Sequence, residues 1–94
     1  MIEWTEQATR QLDQARDYVA LSNTETVADR IVLRIVSLVE RLATFPLSGR
    51  TGRVAGTREL PIPKTPFIVA YTIEKARIVI LGVYHGAQRW PEGF

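Results

Sequence analysis

The chain has 94 residues, 46% apolar and 23% charged, the balance of one globular domain spanning residues 1–94. It has no cysteine and a single histidine. That excludes disulfides, zinc–thiolate sites and a cysteine nucleophile, and no metal or other cofactor is expected.

Net charge is +2 and the pI is near 9.4. Ten of the twelve cations are arginine, with lysine only at 64 and 75. Arginine suits planar, bidentate grip on phosphate or carboxylate, so a nucleic acid or an acidic protein partner is permitted. No apolar run approaches the ~20 residues of a membrane span. No basic-then-apolar leader is read at the N-terminus, and a cytoplasmic location without membrane contact is expected.

Residues Met1–Trp4 read as a short edge strand, and Thr5 as the N-cap of a first helix. Ala8, Leu12, Ala15 and Val19 recur at helical spacing and make one narrow apolar stripe, which ends near Leu21. Ser22-Asn23-Thr24-Glu25 fits a capping box with Ser22 as cap; Thr24 is a competing cap. The second helix is expected to run to about Thr44, where Pro46 forbids much extension. On a wheel of about 100° per residue its apolar side chains fill roughly half the circumference, enough to pack on a sheet and on the first helix at once. Leu33 falls outside that arc, and Arg30, Arg34 and Arg41 line one edge of it. So short a link predicts an antiparallel helical hairpin.

Pro46–Gly56, punctuated by glycine and proline, reads as loop. Thr57–Ile62 reads as a strand that Pro61 and Pro63 confine to an edge or to a strand end. Phe67–Ile73 and Arg77–Tyr84 are two apolar runs joined by Glu74-Lys75-Ala76, a link that fits a β-hairpin. The second of these strands is apolar on both faces around Ile78–Val83, as a central strand would be. The order is βααβββ. It predicts an α+β domain in which a helical hairpin packs on one face of a small antiparallel sheet, with the other face wholly or partly open.

There is no Walker lysine motif, no GxGxxG after a strand and no HExxH. Gly49-Arg50-Thr51-Gly52-Arg53 faintly resembles a phosphate loop but leads into no helix. What remains is a cationic set: Arg50, Arg53, Arg58, His85 and Arg89. Adjacent strands could bring Arg58, His85 and Arg89 to one rim, where they could hold a phosphodiester with His85 as acid or base. The plainer alternatives are a structural histidine and arginines that serve solubility. Tyr84 and Trp90 could stack on bases or close a core edge.

The order of several short pieces resembles the RelE/ParE superfamily of bacterial type II toxins from end to end. The pieces are Trp4-Thr5 with Ala8 and Leu12; Leu42, Pro46 and Gly49-Arg50; Gly56-Thr57-Arg58-Glu59-Leu60; Phe67–Tyr71; and Val83-Tyr84-His85-Gly86-Ala87-Gln88-Arg89. The resemblance implies the βααβββ fold and a growth-inhibiting toxin held inactive by a cognate antitoxin in a hetero-oligomer. Two targets divide the superfamily. RelE-like members cut mRNA on the ribosome; for them the resemblance implies Arg58, His85 and Arg89 as catalytic residues. Ile68 stands where those members carry an arginine, and Gly86 where a tyrosine follows the histidine. ParE-like members inhibit DNA gyrase and have a long helical hairpin, which suits this chain. Gyrase inhibition is the leading expectation and an mRNA endonuclease the alternative. Arg50, Arg53 and Trp90 are expected to contact the target, and Leu33, Phe67, Val69 and Tyr71 to meet the antitoxin.

Overall fold

The computed structural model describes all residues from Met1 to Phe94. The elements are β1 (Ile2–Trp4), α1 (Glu6–Ser22), α2 (Glu25–Glu40), β2 (Arg50–Thr51), β3 (Arg58–Pro61), β4 (Phe67–Glu74) and β5 (Arg77–His85). A single 3-10 turn over Arg41–Ala43 closes α2, short of the regular helix to Thr44 that the apolar pattern predicts.

Both helices start where a threonine hydroxyl can serve the first free backbone N–H groups. Thr5 Oγ1 accepts from the Ala8 amide at 3.0 Å, and Thr24 Oγ1 from Val27 at 3.1 Å. Thr24, not Ser22, is therefore the cap of α2. Ser22 is the last residue of α1, where its hydroxyl turns back toward the Tyr18 and Val19 carbonyls. Only Asn23 and Thr24 separate the helices, which forces the antiparallel hairpin. Arg16 of α1 and Asp29 of α2 tie its legs at 2.9 Å.

The sheet order is β1-β5-β4-β3-β2. Four strands pair antiparallel, but β1 pairs parallel to β5 through Ile2–Ile78, Glu3–Val79 and Trp4–Ile80. The sheet is thus mixed, not antiparallel throughout. A parallel pair needs a long crossover, and here α1, α2, β2, β3 and β4 all lie between the partners. The fifth strand, Arg50–Thr51, falls inside the stretch whose sequence reads as loop. Two residues carry no periodicity, and it is the pairing with Arg58 and Glu59 that makes them a strand. Pro61 ends β3 beyond the reach of β2, a place where a missing N–H costs no ladder bond. Lys75 takes a left-handed φ of 56° in the tight link between β4 and β5.

The core lies between the hairpin and one face of this sheet. Ala8, Ala15 and Val19 of α1 and Ala28, Ile35 and Val39 of α2 meet Val69, Tyr71, Ile78, Ile80 and Val83, with Leu42 and Ile62 closing it. Residues opposite one another across a ladder share a face, so Arg58 and Leu60 of β3 join Tyr71 and Val69 on this side. Glu59, Ala70, Thr72, Gly82 and Tyr84 lie on the other. That second face is partly covered: the indole of Trp90 stacks on Tyr84 at 4.6 Å between ring centres, and Phe94 lies 6.2 Å from the same ring.

Candidate functional site

On the face turned away from the helices, Glu59 is 2% exposed. A buried carboxylate requires compensating donors, and the preceding loop brings two. Arg50 donates from Nε and Nη2 to Oε1, and Arg53 from its main-chain N at 2.8 Å and Nε at 3.0 Å to Oε2. The two-residue strand β2 makes this possible by setting Arg50 opposite Glu59 in the ladder. Burial pushes the Glu59 carboxyl up, but the Arg53 side-chain and backbone bonds and the Arg50 bond outweigh it. The group is held below the usual carboxylate range. Both guanidiniums remain about half exposed while Glu59 anchors them.

Arg53 has a second contact. Its guanidinium carbon lies 3.7 Å from the centre of the Trp90 ring, so Trp90 sits between a cation and the Tyr84 phenol. Gly82 leaves the room Tyr84 needs: a Cβ there would strike the Tyr84 ring and come within 2.7 Å of Gln11 Oε1. Gln7 fixes the far end of the ring by donating to its hydroxyl at 3.1 Å. The indole N–H of Trp90 is buried and has no acceptor. The result is a cationic patch of exposed Arg50 and Arg53 backed by a half-buried Trp90, over a rigid acidic anchor. It can grip a planar or anionic surface.

The loop itself is tied to the core by Tyr71. Its hydroxyl donates to the Pro46 carbonyl at 2.7 Å and accepts from the Gly49 amide at 2.9 Å. Burial raises the phenol above its ordinary value, against the Gly49 bond and the Arg58 charge. Arg58 donates to the Gly49 carbonyl at 2.8 Å.

Of the catalytic trio, Arg58 and His85 are not brought together. Arg58 lies opposite Tyr71 and His85 opposite Phe67, on the two sides of β4. Phe67 and Tyr71 are four steps apart on β4, roughly 13 Å along the strand. Arg58 is engaged with a backbone carbonyl. His85 packs edge-on against Tyr18 and Phe67, at 5.5 and 5.9 Å, with Nδ1 accepting from the Ala87 amide at 3.1 Å. Arg89 is exposed in the C-terminal segment. The shared rim is therefore corrected: β3 and β5 are not neighbours but flank β4, and the register sets Arg58 and His85 far apart.

The expected antitoxin residues divide as well. Phe67, Val69 and Tyr71 do share a face, but it is the core face: they are 4%, 0% and 0% exposed. In this fold they offer no docking surface. Leu33 is 66% exposed on α2. Elsewhere on α2, Leu38 and Arg41 line two shallow pockets, one with Phe45 and Leu60 and one with Arg34 and Lys64.

Glu59 and Tyr18 carry no assignment in the sequence reading. A lone carboxylate in a short strand, six and nine residues after two arginines, was the available signal for Glu59. Nothing local marks Tyr18, whose neighbours come from β4 and β5.

The fold has known counterparts. The family described as the ParE toxin of the type II toxin–antitoxin system parDE matches residues 2–90. Y4kP of Sinorhizobium fredii, a protein named as a toxin, is 41% identical over 91 residues, covering 97% of this chain and 93% of its own length. Toxin RelE2 of Caulobacter vibrioides is 29% identical over 87 residues, with 93% and 96% covered. A solved structure titled as the chromosomal ParDE TA system from P. aeruginosa superposes with a TM-score of 0.82 at 27% identity, over 89% of this chain and 92% of that one. The family match runs from β1 through the hairpin to Trp90. The chain belongs to the ParE toxin family of type II toxin–antitoxin systems.

Proposed function

We propose that this protein is the growth-inhibiting partner of a toxin–antitoxin pair, that it acts by binding rather than by cutting, and that its target is DNA gyrase in the cytoplasm. The observation that carries this reading is the separation of Arg58 from His85, which lie on opposite sides of β4. Acid–base cleavage of a phosphodiester needs a proton-transfer group and cations within hydrogen-bond reach of one reacting centre. The patch of Arg50, Arg53 and Trp90 instead suits recognition, because Trp and Arg are the residue types that anchor interfaces. Supercoiling by purified gyrase in the presence of this chain is the test. Inhibition at micromolar protein is expected, and undisturbed supercoiling would overturn the reading.

The antitoxin is proposed to be an acidic amphipathic segment that lays its apolar side over Leu33 and into the pocket of Leu38, Phe45 and Leu60. Its carboxylates would then meet Arg34, Arg41 and Lys64. Co-purification of the chain with the product of an adjoining gene tests this, and a lone monomer beside that product would oppose it.

The 29% likeness to a protein named RelE2 favours a second reading, a ribosome-dependent mRNA endonuclease. In that case primer extension on translated mRNA shows cuts at the ribosomal A site, and His85→Ala abolishes them.

A further inference from the structure

Beyond Trp4, no strand covers the outer edge of β5. Its exposed backbone donors are taken by side chains: Gln11 Oε1 accepts from the Val83 amide at 2.9 Å, and Gln88 Oε1 from the His85 amide at 3.0 Å. This closes the edge to an incoming strand, which would find those N–H groups occupied. It also orients two carboxamides, since each must turn its oxygen to β5 and leave its NH2 free.

These amides border a cavity of about 420 Å³ between α1 and the ends of β4 and β5, within the ~300–1,000 Å³ range of small-molecule sites. Three of its walls are aromatic: Tyr18, Phe67 and His85 meet at 5.5 to 6.3 Å with interplanar angles of 73° to 89°. Gln14 adds a third amide without a protein partner, and no Asp, Glu, Lys or Arg lines the space. Because the Ala87 amide occupies His85 Nδ1, the ring N–H is on Nε2. The polar groups left for an occupant are therefore mostly donors: the NH2 groups of Gln11, Gln14 and Gln88, and His85 Nε2–H.

We propose that this cavity binds a neutral, flat ring that bears carbonyl acceptors, the chemistry of a keto nucleobase such as uracil or guanine. Flat walls favour stacking. A neutral, donor-rich lining favours acceptors over charges. A hydrocarbon side chain from a protein partner would bury the amide N–H groups unpaired, at a cost the keto groups avoid. The inference does not depend on the gyrase reading, because it concerns the isolated chain and a cavity that Arg50, Arg53 and Trp90 do not line. The base has two possible sources, a free nucleoside or single-stranded nucleic acid.

The full chain is titrated with uridine, guanosine, adenosine and cytidine, and separately with octamers of uridylate and thymidylate, while NMR follows the side-chain amides of Gln11, Gln14 and Gln88. Saturable shifts at these amides with uridine or guanosine support a free ligand. The same shifts with octamers alone support a base presented by a strand. Tyr18→Ala and Gln14→Ala should each weaken binding by about tenfold, while Tyr18→Phe, which keeps the ring, stays within about twofold. Both positions are exposed on α1, so thermal midpoints serve as the check on folding. The proposal is overturned if neither ligand class shifts these amides at millimolar concentration. It is also overturned if all four nucleosides bind alike, or if binding ignores Tyr18→Ala.

Discussion

Arg53 reaches Glu59 twice through one oxygen: its main-chain N and its Nε both donate to Oε2, at 2.8 and 3.0 Å. The loop backbone and the side chain that carries the Trp90 stack thus share a single buried anchor. Glu59→Gln keeps the shape but loses the charge. It should cost about 1–3 kcal/mol by chemical denaturation at neutral pH, toward the lower figure because both guanidiniums are half exposed and screened. It should also free Trp90, read as a red-shifted emission in a Trp4→Phe background. An unchanged spectrum would show that the indole is held by something else.

The same carboxylate predicts an acid-side pH dependence. Its folded value lies below the ordinary 4.5, so the stability it contributes is present above that value and is lost as pH falls through the lower, folded one. Stability of the parent chain should therefore drop more steeply than that of Glu59→Gln on acidification below about pH 4.5. Parallel slopes for the two proteins would refute the coupling.

Tyr71→Phe removes one hydroxyl that serves two loop groups, the Pro46 carbonyl and the Gly49 amide. A loss of about 2 kcal/mol is expected, together with faster hydrogen exchange at Gly49. The raised phenol gives the opposite pH sign: its contribution is present below the ordinary value of 10 and declines as pH rises through the folded one. The variant should lack that alkaline component. Gly49→Ala attacks the same junction sterically, since a Cβ would lie 2.5 Å from the Tyr71 hydroxyl and 2.9 Å from the Glu59 carbonyl. It should destabilise the chain at least as much as Tyr71→Phe.

If the protein acts by binding through its cationic and aromatic patch, His85→Ala retains growth arrest on expression without antitoxin, whereas Trp90→Ala loses it. Both variants are compared at equal soluble level. Loss of arrest with His85→Ala and retention with Trp90→Ala would reverse the assignment and favour RNA cleavage.

Leu33→Glu places a like charge before an acidic partner and removes an apolar contact, at a site that is mostly exposed in the free chain. Antitoxin affinity should fall by on the order of tenfold or more, with no shift in the melting temperature of the toxin alone. Unchanged affinity would move the docking surface away from α2.

The elements of this protein were legible in its residues because they depend on neighbours in sequence. Thr5 caps α1 through a group three residues on, the apolar stripe of α1 repeats within one turn, and two short links dictate two hairpins. The order of pieces from Trp4 to Arg89 was enough to suggest the kinship. Tertiary structure decided what depends on partners far along the chain. Alternation groups Phe67, Val69 and Tyr71 on one face, but period two cannot say which face the helices cover. Arg58 and His85 sit on strands flanking β4, and only the register sets their distance. The parallel seat of β1 and the strand hidden in Arg50–Thr51 follow from pairing, not propensity. Glu59 became an anchor because that pairing delivered two guanidiniums to a carboxylate that folding had already taken out of water.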